Sequence, residues 1–265
     1  MTTRLDATLA APTESPESSI SAPEYRTFGY GSETGLDGGH TKLDRTTEPI
    51  VVFLDTIHPD WFPRKLPVVQ RNKAISEELS GLPCIVVHYS HLAEADMRRG
   101  NIKAVFLGAS LRDIPELLQV LYPFIRETQT PMIGTCGGNA LLYTAYGGKD
   151  GLMRPLRPGE PDPNPNYHPG YYKEWGKMPV SILKRDPLFE DLPDSFIVQQ
   201  NHSHEAKMLP PCFEVLAASP ECRVQAIKHK AKLHYGVQSH PEYYDDQHLH
   251  GKIILRNFFR LALGK

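Results

Sequence analysis

The chain has 265 residues, with 29 Lys and Arg against 31 Asp and Glu for a formal charge of −2, and 40% of it is hydrophobic. That length and composition suit one large α/β domain or at most two small ones, and the near-neutral balance without a basic block argues against a phosphate-tracking nucleic-acid protein. Membrane-spanning apolar runs and a signal-peptide pattern are both missing, and Cys84, Cys136, Cys212 and Cys222 form no CxxC pair. Disulfide-scaffold, zinc-ribbon and thioredoxin readings therefore fall away, leaving a soluble, cytoplasmic protein with no membrane or nucleic-acid partner as the expectation.

Residues 1–48 are dominated by Ser, Thr, Pro, Gly, Glu and Asp, with aromatics only at Tyr25, Phe28 and Tyr30. So little apolar surface does not offset the entropy of ordering, and the segment reads as a disordered or loosely attached tail. The folded domain is expected over 49–265. The apolar run IVVFL at 50–54 reads as a strand buried on both faces. Residues 68–79 have helical spacing closed by Gly81 and Pro83. Strand 84–87, a short helix over 92–99, strand 103–107, a helix over 114–125, strand 131–134 and a helix over 138–146 follow. Strands alternating with helices predict an α/β fold with an open, mostly parallel, doubly wound sheet, in which ligands sit at the carboxyl ends of the strands. Residues 149–176, rich in proline and aromatics, read as a long loop: a lid, a docking surface or a plain excursion. Strand-like stretches at 179–183, 195–200, 213–218, 224–229 and 233–238 suggest antiparallel additions to the sheet edge. A helix over 247–263 closes the chain.

The sharpest local feature is Gly134-Thr135-Cys136-Gly137-Gly138. A strand entering Gly-x-Cys-x-Gly and then a helix is a nucleophile elbow with Cys in place of Ser. Glycines two residues either side permit the tight turn. The sulfur then stands at a helix N-terminus, where a thiol loses its proton more readily, and the Gly137 N–H is free to stabilise an oxyanion. A Cys nucleophile needs a base, and the base an orienting partner. Gln238-Ser239-His240-Pro241-Glu242 offers both. Pro241 biases His240 to an extended conformation, and residues two apart in an extended stretch point the same way. Singly, a structural cysteine and a surface histidine are adequate explanations; the combination of elbow, strand-end His and alternating Glu is much rarer.

These two segments resemble those of the class I glutamine amidotransferase superfamily, with its flavodoxin-like fold and Cys–His–Glu glutaminase domains. The resemblance covers residues from about 50 to 264. It implies Cys136 as nucleophile, His240 as general base and acid, and Glu242 as the residue that orients it. It also implies an oxyanion hole from Gly137 and the Gly108-Ala109 loop, and a substrate-side loop at Asn201, His202 and Ser203. The chain departs from the family pattern at Ala140, where many members carry a substrate-holding Gln, and Asn139 is the candidate replacement. Ala109 stands where the second glycine of the oxyanion loop is expected. The implied activity is glutamine hydrolysis to glutamate and ammonia, with transfer by a separate synthetase, because no phosphate-binding loop or dinucleotide fingerprint is present. A free-standing hydrolase of γ-glutamyl or other amides, and a non-catalytic binding member of the fold, are the alternatives.

Other features have plainer expectations. His202 and His204 share a strand face, and zinc favours imidazole. His248 and His250 are expected on a helix, where i and i+2 point apart, so neither a metal nor a cofactor is expected. Asp245 and Asp246 read as an N-terminal helix cap. Residues 55–60 end the first strand and so approach the cleft edge.

Overall fold

The structure, a computed structural model, describes residue 43 and residues 46–57, 62–92, 97–108 and 115–265. A nine-stranded sheet runs through it. In chain order its strands are β1 (Ile50–Asp55), β2 (Cys84–His88), β3 (Ile102–Leu107), β4 (Met132–Thr135), β6 (Glu174–Ile182), β7 (Ser195–His202), β9 (Phe213–Ala218), β10 (Ala226–His229) and β11 (His234–Val237). Their spatial order is β2-β1-β3-β4-β11-β10-β9-β6-β7. The first five are mutually parallel and the rest antiparallel.

The apolar composition of the parallel strands follows from coverage on both faces. Val51 and Phe53 of β1 pack in one core with Val69 and Ile75 of α1 (Phe62–Ser80) and Ile254 and Phe258 of α4 (His250–Ala262). Ile50, Val52 and Leu54 belong to a second core with Leu121 and Ile125 of α2 (Pro115–Glu127) and Leu141 of α3 (Gly137–Ala145). Among the described residues, no helix is long and apolar enough to cross a membrane.

Several expectations need correction. β11 is not an antiparallel addition: it lies parallel to β4, inside the sheet. Residues 149–176 are not loop throughout. Lys149–Leu152 forms β5, antiparallel to β8 (His204–Met208), and Glu174 opens β6. Neither KDGL nor HEAKM carries a hydrophobic alternation, so only their mutual pairing makes them strands. The α1 helix starts before Pro67, which the spacing placed at its start. The last helix begins at His250, not 247, because the Asp245 carboxylate accepts the N–H groups of Gln247 and His248 and closes a turn there. Of the helix expected at 92–99, residues 93–96 lie outside the described residues.

The domain also begins earlier than expected. Leu43 is fully buried in the second core, and the Thr46 carbonyl accepts from Arg99 Nη2 at 2.7 Å and Asn101 Nδ2 at 2.9 Å. The remainder of the expected tail, residues 1–42, lies outside the described residues.

Candidate active site

Cys136 sits between β4 and α3 with φ 49° and ψ −110°, a left-handed conformation that a residue with a side chain rarely adopts. Its neighbours force it. A Cβ on Gly134 would lie 2.5 Å from the Gly138 carbonyl oxygen, and one on Gly138 would lie 2.4 Å from that of Leu107. The strand therefore turns into the helix only with glycine at both places, and the residue between them absorbs the strain.

The parallel register of β4 and β11 brings the second motif to the first. Thr135 pairs with Val237, and the Cys136 N–H donates to the Val237 carbonyl at 2.9 Å. Three residues on, the His240 N–H donates to the Gln199 carbonyl at 2.8 Å, which ties the strand exit to β7. The His240 ring is fixed from both ends. Nδ1 lies 2.7 Å from Glu242 Oε1, leaving Nε2 for the hydrogen bond with the Cys136 side chain. Both His240 and Glu242 are nearly shielded from solvent, at 12% and 3% side-chain exposure. Burial alone would lower the pKa of His240; the charges of Cys136 and Glu242, with their hydrogen bonds, outweigh it and hold the imidazolium well above the usual histidine range.

Gly137 opens α3, where the first N–H groups have no intrahelical acceptor and are available to a developing oxyanion. Gly108 is different. Its N–H donates to the Leu54 carbonyl at 3.0 Å, and its carbonyl accepts from Thr56 Oγ1. The expected donation from Gly108 is therefore corrected, because that amide is consumed in continuing the β3 ladder toward β1. Ala109, the other expected donor, lies outside the described residues.

The triad opens on a cavity of about 310 Å³. On one side stand Asn164, Tyr167, Trp175 and Asn201; on the other stand Asp55, Ile57, Val68, Asn72 and Tyr243. Asp55 and Ile57 bear out the placing of the β1 end at the cleft edge, whereas His58 and Asp60 lie outside the described residues. The proline-rich segment supplies a wall. Arg154 spans Glu160 and Glu221, each at 2.7 Å, with its guanidinium over the Tyr172 ring. The buried Lys173 ammonium holds Asp162 at 2.8 Å and the carbonyls of His168 and Tyr171. These ties hold the segment that carries Asn164 and Tyr167 at the cleft.

Of the expected substrate contacts, only Asn201 lines the cleft. Asn139 is fully buried, its amide donating to Gln238 Oε1 at 3.0 Å and its carbonyl oxygen turned toward Gly236. It ties α3 to β11 and does not reach substrate. Ser203 is fully buried as well. His202 lies on the far side of β7, its Nε2 2.9 Å from Glu174 Oε2 and its Nδ1 2.8 Å from the His204 carbonyl. Alternation along the strand explains this: Asn201 and His202 must face opposite ways.

Glu174, His202 and Cys222 do bring three metal-ligand atoms within 4.8 Å of one another. Each atom is already engaged. Glu174 accepts from Ser219 and Gln225 as well as meeting His202, and the Cys222 thiol donates to the Val224 carbonyl at 3.6 Å. Burial pushes the Cys222 thiol far up, against the thiolate a metal requires. The other histidines are engaged too: His204 with Asp150, His248 with Asp245, and His250 Nδ1 with the Ile197 N–H. Sequence reasoning missed Asn72, Val68 and Glu174, since nothing in their local spacing distinguishes them from other helix and strand positions.

A family model described as glutamine amidotransferase class-I matches residues 70–262. The chain is 30% identical over 184 residues to the glutamine-hydrolysing subunit of GMP synthase from Methanococcus vannielii, spanning 69% of this chain and 85% of that protein. It is 36% identical over 136 residues to the same subunit of Pyrococcus abyssi, spanning 51% of this chain and 62% of the relative. Among solved structures, a GMP synthase subunit described as putative, from Thermoplasma acidophilum, superposes with a TM-score of 0.63 at 23% identity, covering 83% of this chain and 96% of that one. A Thermotoga maritima glutamine amidotransferase superposes at 0.56 and 15% identity, covering 83% of this chain and all of its own. At those identities the structural matches speak to the fold.

Proposed function

Because this chain belongs to the class I glutamine amidotransferase family, we propose that Cys136, His240 and Glu242 are the catalytic triad through which it hydrolyses glutamine for a separate synthetase subunit. The observation that carries this reading is the His240 ring, bonded through Nδ1 to Glu242 at 2.7 Å and through its other nitrogen to the side chain of Cys136. The Cys136 thiolate attacks the side-chain amide carbon and forms an S–C bond. The oxyanion is met by the Gly137 N–H at the head of α3. His240 gives its Nε2 proton to the amide nitrogen, the C–N bond breaks and ammonia leaves. A water then gives its proton to His240 and attacks the thioester, the S–C bond breaks, and glutamate is released. Glu242 holds the ring and its positive charge throughout.

The curated relatives are named as the glutamine-hydrolysing subunit of GMP synthase, which favours a GMP-forming synthetase chain as the ammonia-consuming partner. The test is covalent labelling by an electrophilic glutamine analogue, followed by peptide mass spectrometry, together with glutamate release from L-glutamine. Stoichiometric modification at Cys136 and loss of glutamate release in Cys136→Ser are expected. A folded protein that stays unlabelled from pH 6 to 9 would be a binding member of the fold.

A further inference from the structure

We propose that the cleft takes, besides glutamine, γ-glutamyl amides whose amine carries carbon substituents and no carboxylate. This inference rests on the triad reading above. His240 protonates the leaving nitrogen, so the amine departs along the flank of His240, Glu242 and Tyr243. An ammonia molecule needs about the 30 Å³ of a water. That flank does not close at such a volume: the same cavity of about 310 Å³ continues from Tyr243 to the α1 helix and the end of β1, where Ile57 and Val68 form an apolar wall. A glutamyl group seated between Tyr167, Trp175 and Asn201 leaves this part of the cleft for whatever the nitrogen carries.

The polar groups of the flank define the charge of the amine. Asn72 Oδ1 and Glu242 Oε2 are buried acceptors without a hydrogen-bond partner among the described residues. Asp55 is buried there too, one of its oxygens taking the Ile57 N–H. No Lys or Arg is among the described residues lining the cleft; the Arg71 guanidinium lies over the Tyr243 ring outside it. Acceptors and carboxylates welcome N–H donors, neutral chains or cations, and repel a carboxylate. The reaction balances as for glutamine. The S–C bond forms, the C–N bond breaks with the His240 proton passing to the nitrogen, an amine RNH2 leaves, and water releases glutamate.

The experiment follows glutamate release by the full chain from L-glutamine, γ-glutamyl-n-butylamide and γ-glutamylglycine. The expected kcat/KM for the butylamide is within about tenfold of that for glutamine, or above it, and at least about tenfold above that for γ-glutamylglycine. Turnover of glutamine with none of the butylamide, or γ-glutamylglycine equal to the butylamide, overturns this inference and leaves the triad intact. No turnover of any of the three, with Cys136 unlabelled, removes the triad reading and this one with it. Val68→Phe narrows the flank, and in a variant with an unchanged thermal transition the ratio of butylamide to glutamine kcat/KM is expected to fall about tenfold; an unchanged ratio overturns the inference.

Discussion

Replacing Glu242 by Gln keeps the shape of the side chain and an oxygen able to accept from His240 Nδ1, and removes only the charge. That charge lies 2.7 Å from the ring nitrogen, in a pair with 12% and 3% side-chain exposure. At an effective dielectric constant of about 20, unit charges at that distance attract by about 6 kcal/mol. The hydrogen bond that survives and the desolvation relieved offset roughly half, leaving a loss of about 3 kcal/mol, or somewhat over a hundredfold in kcat/KM. The pH dependence gives a second readout. In the native protein burial works against the imidazolium, and Cys136 with Glu242 outweighs it. Without the carboxylate burial has less to overcome, so His240 loses its proton at lower pH and the alkaline limb of the rate profile moves toward neutrality. Glutamate release across pH 6–10, beside a thermal melt, measures both. A folded Gln variant within about threefold of the parent, with an unmoved alkaline limb, would refute the claim that Glu242 holds the charged ring.

The thiols are expected to differ in a single experiment. Burial pushes Cys84 up to about 12 and raises Cys222 further, so iodoacetamide at neutral pH labels Cys136 first in the folded chain; faster loss of Cys84 or Cys222 in peptide mass spectra contradicts this. Cys136→Ser lowers turnover by more than about a thousandfold while Cys84→Ser keeps most of it, and equal losses would show thiols acting through folding. Gly138→Ala forces a Cβ to within 2.4 Å of the Leu107 carbonyl oxygen. It destabilises by about 2 kcal/mol or more, and an unchanged calorimetric transition contradicts that. Burial first, with Lys232 second, pushes His234 down to about 4. From pH 6.5 down to that value the unfolded chain binds a proton that the folded chain refuses, so stability falls with pH by about 3 kcal/mol. Denaturant titrations of His234→Gln should show a shallower fall over that range; equal slopes would exclude His234 as its source.

Local chemistry was legible from the residue order alone. The run at 50–54 could only be a strand buried on both faces, and the glycines at 134 and 138 announced a turn that excludes side chains. Cys136, His240 and Glu242 were identifiable because each carries its geometric reason in adjacent residues: an elbow, a strand end, and a proline that keeps two side chains on one side. Their family resemblance carried the expected architecture with them. Other assignments depended on partners distant in the chain. Whether an amide is free is decided by the strand beside it, as with Gly108 and Leu54. Whether Asn139 meets substrate or core is decided by the position of β11. His202 and Asn201 exchange faces with a single step along β7, so one lines the cleft and its neighbour a buried carboxylate. β5 and β8 exist only through each other, since neither has an apolar rhythm. Sequence thus determined which atoms are reactive, because reactivity is set by residue type and immediate neighbours. Tertiary structure alone decided which surfaces face those atoms, because strand register and helix packing join residues whose separation along the chain carries no record of their meeting.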